Sequence, residues 1–147
     1  MKKFACAALG IMVLSTLLLS FAACRPSEPI YPIEPEVLLL SPAYGSELAS
    51  GPITVKAYVE SVKLVDKIGQ SNVPGEGHLI YYLDASPPIS TGITATPTAG
   101  TFAMSTELSH TWDNVAAGEH ILAIQVVNND NTPMRAPSAV WVKITVK

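Results

Sequence analysis

Gly75-Glu76-Gly77-His78-Leu79-Ile80-Tyr81-Tyr82-Leu83-Asp84 joins a glycine-hinged turn to a run whose alternate residues differ in chemistry. Successive side chains of a β-strand point to opposite faces. Read as a strand, this stretch turns Leu79, Tyr81 and Leu83 toward a core. His78, Ile80, Tyr82 and Asp84 fall on the other side, the most polar cluster within any apolar run of the chain. That side is the expected working surface.

Working outward, period-two patterns recur on both flanks. Ile53, Val55, Ala57 and Val59 alternate with Thr54, Lys56, Tyr58 and Glu60, a strand with one buried face. Leu122, Ile124 and Val126 alternate with Ile121, Ala123, Gln125 and Val127, apolar on both sides except at Gln125, which marks a central strand. Val140, Val142, Ile144 and Val146 close the chain opposite Ala139, Trp141, Lys143 and Thr145. Shorter strands are expected at Val37–Leu40, Thr101–Ser105 and Leu108–Trp112, with a less regular segment at 62–65. Gly, Asn and Pro in 66–77 and the Asn128–Pro133 run are turn chemistry. Pro87 to Gly100, rich in Thr, Ser, Ala, Gly and Pro, reads as a long exposed excursion with little to bury. About seven strands without helical periodicity imply an all-β, antiparallel immunoglobulin-like β-sandwich over 37–147. A small barrel or another sandwich order remains an alternative, because the Cys and Trp pins of antibody domains are missing.

The N-terminal segment has a different character. Lys2 and Lys3 precede an apolar run from Phe4 to Phe21, followed by Ala22-Ala23-Cys24. Residues 1–23 read as a signal peptide helix, and small residues before a cysteine resemble a lipoprotein cleavage box, implying lipid attachment at Cys24. Ordinary secretory cleavage near Ala22 or an uncleaved anchor are the other readings, and either still exports the domain. Cys6 would leave with the signal, so Cys24 has no partner for an intramolecular disulfide. Residues 24–36 carry prolines at 26, 29, 32 and 35, a spacing that suits polyproline II and a semi-rigid spacer at about 3.1 Å per residue. The expected location is therefore a cell membrane or outer membrane, held by lipid, with the domain outside the cytoplasm.

Composition narrows the function classes. The chain has 147 residues, room for one domain plus an appendage. Removing Lys2 and Lys3 leaves 7 basic against 12 acidic side chains, net −5, with no basic patch for nucleic acid. No nucleophile elbow, phosphate loop, His-Glu-x-x-His or CxxC pair is present, so the chain is read as non-catalytic and without a cofactor. Glu76 and Asp84 flank turns, where capping explains them. The candidate binding face is His78, Tyr82, Asp84 and Gln125, for a protein, peptide or glycan ligand. It assumes that the strand from His78 lies antiparallel to Ile121–Val127, which sets His78, Ile80 and Tyr82 beside Ala123, Gln125 and Val127. The alternative function is copper or zinc binding through His78, with Asp84 beside it. No metal site is expected, because His110 and His120 share parity with core residues and the lone mature cysteine is outside the domain. Trp112 and Trp141 are read as core pillars.

The Gly75–Asp84 stretch, together with Trp112 through Gly118-Glu119-His120 to Asn128-Asn129-Asp130-Asn131-Thr132-Pro133, resembles an uncharacterised family of small exported prokaryotic domains over 37–147. The resemblance implies an immunoglobulin-like exported domain and no particular activity. It also implies histidines in relatives where this chain has Ile80 and Asn131, two departures that remove a histidine cluster.

Overall fold

A computed structural model describes residues 34–90, 92–134 and 138–147. The signal peptide, Cys24 and all but the last three residues of the proline segment lie outside the described residues. Nine strands follow in chain order. They are β1 (Glu36–Ser41), β2 (Glu47–Leu48), β3 (Gly51–Glu60), β4 (Lys63–Leu64), β5 (Glu76–Leu83), β6 (Thr101–Ser105), β7 (Ser109–Val115), β8 (Gly118–Val127) and β9 (Ala139–Val146). One sheet has the order β1-β3-β7 and the other β2-β9-β8-β5-β4, with β6 also paired to β5. Three strands facing a β9-β8-β5-β6 sheet, with antiparallel pairing along both, is the immunoglobulin-like sandwich. The expected fold class is correct, and β8 is the central strand that its two-sided apolarity announced.

Alternation builds the core. Val37, Ile53, Val55, Ala57, Trp112 and Val115 face Leu79, Tyr81, Leu122, Ile124, Val126, Val142, Ile144 and Val146 across the sandwich. Pro35 is also buried, so the inward alternation of β1 begins inside the segment expected to be a spacer. Strands β5 and β8 are antiparallel neighbours with His78↔Val127, Ile80↔Gln125 and Tyr82↔Ala123, which sets these six residues on one face as the sequence implied. Strand β2 was not anticipated: two residues are too short for a pattern, and only the parallel pairing Glu47↔Thr145, Leu48↔Val146 reveals it.

Two corrections follow. Trp141 is no core pillar; it shares the outward parity of Lys143 and Thr145 and is 63% exposed. The excursion after Asp84 does bury something. Ala85 and Ala95 are enclosed in a second apolar cluster with Ile80, Tyr82, Ala123 and Val127 on the outer face of the β8-β5 sheet. The two ends of this excursion meet at Gly100, whose φ is +87° and where a side-chain carbon would stand 2.5 Å from Ala85 Cβ. That closure makes it a compact loop of the Ω type.

The entry to β5 is as tight. A Cβ on Gly77 would collide with the backbone carbonyl of Val127 and the methyl of Met134. The methionine can swing aside, but the carbonyl belongs to the paired strand. Gly77→Ala is therefore expected to destabilise the domain by about 1–3 kcal/mol, as overpacking does, measured by urea unfolding.

Candidate functional site

The outer face of β5 and β8 was expected to be open, and it is closed. His78, Ile80, Tyr82 and Gln125 are each fully buried. The physical reason is the excursion, which packs on Ile80 and Tyr82 and accepts hydrogen bonds from Tyr82 and Gln125, together with the turn after β8, which bonds His78. Tyr82 Oη stands 2.7 Å from both Ala95 O and Gln125 Oε1, so its one proton is shared between two carbonyl acceptors. Gln125 Nε2 donates to Pro88 O at 2.7 Å. Ala95 N donates to Asn131 O at 2.7 Å, tying the loop also to the turn after β8. Burial raises the Tyr82 hydroxyl well above the ordinary tyrosine range, so it stays a donor.

His78 serves the same closure. Its Nε2 is 3.0 Å from Asn131 Oδ1, which accepts the proton and leaves Nδ1 a bare, buried lone pair. Desolvation lowers the pKa, opposed by the bond to Asn131 and the charge of Asp66. Burial thus favours the neutral imidazole. Asn131 occupies one of the positions where the family resemblance implied a histidine, and it contacts His78 directly.

Asp84 leaves this face altogether. With φ +53° it ends β5 in the left-handed region, and its carboxylate turns to the start of β8. Oδ1 accepts from Ile121 N at 3.0 Å, the capping role expected of it, and Oδ2 meets His120 Nδ1 at 2.7 Å. His120 Nε2 lies 2.9 Å from Ala116 O. Both partners are acceptors only, so both bonds form together only when the ring carries two protons. The side-chain hydrogen bond from Asp84, which outweighs desolvation, holds the His120 pKa above its ordinary value, with help from Ala116 O. His78 and Asp84, six residues apart along β5, are separated by roughly 20 Å at strand rise. They form no joint metal site, which corrects the pairing expected for the metal reading. Among the described residues, no group of three or more His, Cys, Asp or Glu is placed to hold an ion. His110 lies elsewhere, stacked on Tyr81 at 5.4 Å and edge-on to Trp112 at 4.4 Å.

What remains open on this sheet is the part the excursion leaves uncovered. Ala123 pairs with Trp141 and Ile121 with Lys143 across β8 and β9, so Ile121 and Trp141 are diagonal neighbours on the outer face. The first turn of the excursion stands beside them. Ala85, Ser86, Pro87, Ile89, Ile121 and Trp141 line a groove of about 250 Å³. It continues past Ala85, Ser86 and Ile121 into a second one of about 370 Å³, reaching Asp84, Glu119, His120 and Lys143. Lys143 Nζ and Glu119 Oε1 are paired at 2.9 Å, and His120 with Asp84 at 2.7 Å. The trough is therefore apolar at one end and lined by internally neutralised charges at the other. Ile89 is 71% exposed and Ile121 47%, a concentration of apolar surface that marks contact sites. Of the expected face, only Asp84 borders this trough. Trp141 was missed as a site residue, although its parity with Lys143 was visible.

No family model matches the chain, and no curated protein matches it. Solved structures are similar in part, among them the following two. A crystal structure of an engineered protein is 18% identical over 80% of this chain, with a TM-score of 0.43. The chain spans 21% of that protein's length. The fibronectin(III)-like modules of CbhA from Clostridium thermocellum are 17% identical over 76% of this chain and 97% of theirs, also with a TM-score of 0.43. The architecture of this chain rests on its own strand order.

Two outcomes test the closure. Tyr82→Phe removes the shared proton and leaves Ala95 O and Gln125 Oε1 buried without a donor. It should cost about 1–3 kcal/mol and speed hydrogen exchange at Ala95 N–H. Asp84→Asn should act differently with pH. The raised His120 pKa means that its pairing contributes fully below about pH 6.5 and is lost as pH rises through the folded value. The variant's deficit against wild type, from chemical denaturation, should be larger at about pH 6 than at about pH 9.

Proposed function

We propose that the chain is an exported, lipid-anchored contact module of the cell envelope, non-catalytic, that meets its partner through the trough at Trp141. The observation that carries the reading is the indole of Trp141, mostly exposed on the outer sheet face beside the part that the chain's own loop covers. An exposed tryptophan flanked by Ile89, Ile121 and Pro87 is unusual surface chemistry for a domain that meets only water. The polar groups first expected to act on a ligand are spent on internal bonds, with Tyr82 and Gln125 holding the loop. The N-terminal sequence supports the anchored location, with two lysines, an apolar run and Ala-Ala-Cys at 22–24.

The two parts of the proposal are tested separately. Cys24→Ser should abolish labelling by radioactive palmitate and release the domain from the membrane fraction; retained label on that variant would sink the anchor. For the contact surface, a photoreactive residue at position 89 should cross-link in intact cells, and Trp141→Ala should remove the product. Because the indole is exposed, Trp141→Ala should leave the unfolding free energy within about 0.5 kcal/mol of wild type. A wild-type surface that yields no cross-link at all would overturn the contact reading.

A further inference from the structure

We propose that the free edge of β9 beside Trp141 is a strand-addition site for an extended apolar peptide segment of a partner. The inference rests on the contact reading above and names the class of ligand. Residues of β9 alternate in the direction of their backbone groups. Lys143 O accepts from Gly45 N at 2.7 Å, Thr145 N donates to Ser46 O at 2.9 Å, and Lys147 N donates to Leu48 O at 2.8 Å. The odd-numbered residues therefore point away from β8, toward the edge that β2 covers. The cover given by β2 and the residues just before it ends at Lys143. By the same alternation, Ala139 and Trp141 turn their N–H and C=O groups to that edge. Among the described residues neither makes a backbone bond there. Among the described residues, a line of donors and acceptors continues past the end of β2 with no strand paired to it.

This edge and the apolar groove meet at one residue. A strand laid along Ala139–Trp141 would extend the edge that β2 already uses, bonding to the backbone of Trp141. A side chain opposite Trp141 would fall on the same outer face, against the indole, the position where cross-strand aromatic and β-branched pairs stabilise a sheet. Ile89 and Pro87 form the far wall of the groove, beyond the indole, and Ile121 its floor. The chemistry favours a peptide over a glycan. Of the six residues lining the apolar groove, only Ser86 carries a hydroxyl, whereas a sugar needs several polar partners around its ring. The charges at the other end are mutually paired, Lys143 with Glu119 and His120 with Asp84, so none of these four side chains stands unpaired to meet a charged ligand. Backbone hydrogen bonding plus one apolar anchor is the recognition mode of strand addition. The six groove-lining residues also fall well short of the roughly 20–30 a side of a stable protein–protein interface, which suits a short segment.

The test uses the full-length protein in detergent micelles. The probes are synthetic pentapeptides alternating threonine with valine, leucine, phenylalanine or tryptophan. Binding should shift the Ala139 and Trp141 amide resonances, slow hydrogen exchange at those two amides, and change the fluorescence of the indole. Trp141→Ala should weaken the best peptide roughly tenfold or more, as loss of an aromatic anchor does. The same peptide N-methylated at alternate residues should lose binding when the methyl groups fall on the β9 side, while the protein stays unaltered. Equal binding of both N-methylated registers would overturn strand addition. Silence of every peptide while the position 89 cross-link persists would overturn the peptide assignment and leave the contact surface standing. Silence of both would remove the two together.

Discussion

The structure depends on the burial of β5 and β8 on both faces. One face meets the three-stranded sheet and needs only apolar residues, which Leu79, Tyr81, Leu122, Ile124 and Val126 supply. The other presents Tyr82 and Gln125, whose polar atoms each cost about 1–3 kcal/mol if buried without a partner. A cover made only of apolar side chains would not do. The excursion from 85 to 100 meets the requirement with backbone carbonyls, at Ala95 for the tyrosine and Pro88 for the glutamine. Its apolar contribution is slight, chiefly two buried alanines. Hydrogen bonds thus fix where this loop lies, and packing then closes over them.

This explains which parts of the molecule were legible in the sequence. Strict alternation in β3, β5, β8 and β9 specified strands and faces, including which residues of β5 and β8 share a face, because a one-residue slip would exchange the two faces. The outer face was misread because polar residues on alternate positions usually meet solvent. A finer signal was present. The solvent face of β3 carries Thr54, Lys56, Tyr58 and Glu60, two of them charged, whereas the strand residues of β5 and β8 on the covered face are His78, Ile80, Tyr82, Ala123, Gln125 and Val127. Neutral groups that both donate and accept can be buried with partners, and fixed charges rarely are. Composition also misled at the excursion, where Thr, Ser, Gly and Pro suggest a loop with nothing to bury. Its one indispensable contribution is main-chain carbonyls, which every residue has and no composition reports.

Asp84 and Trp141 were misplaced for different reasons. Asp84 has the parity of His78, but parity holds only while the chain stays extended. A left-handed φ at that residue ends the strand and swings the carboxylate to β8. Its contact with His120 joins residues 36 apart and has no signature in local pattern. Trp141 was assigned to the core on size, against its own alternation with Val140 and Val142. Burial of large aromatics is a tendency, while strand parity is geometric, and here geometry prevailed.

The covered face and the open trough are mechanically one structure. Pro88 gives its carbonyl to Gln125 inside the sheet, and the next residue, Ile89, forms the wall of the groove outside. At the loop's other attachment, Asp84 is held by Ile121 N and His120, and Ile121 is itself the floor of the trough. The groove walls are therefore positioned by internal hydrogen bonds that exist before any partner arrives. Binding then need not order the loop, which otherwise costs about 0.5–1.5 kcal/mol for each immobilised side chain. Tyr82 and Gln125 line no part of the trough; they hold in place the loop that forms its wall, the surface the proposed partner would meet.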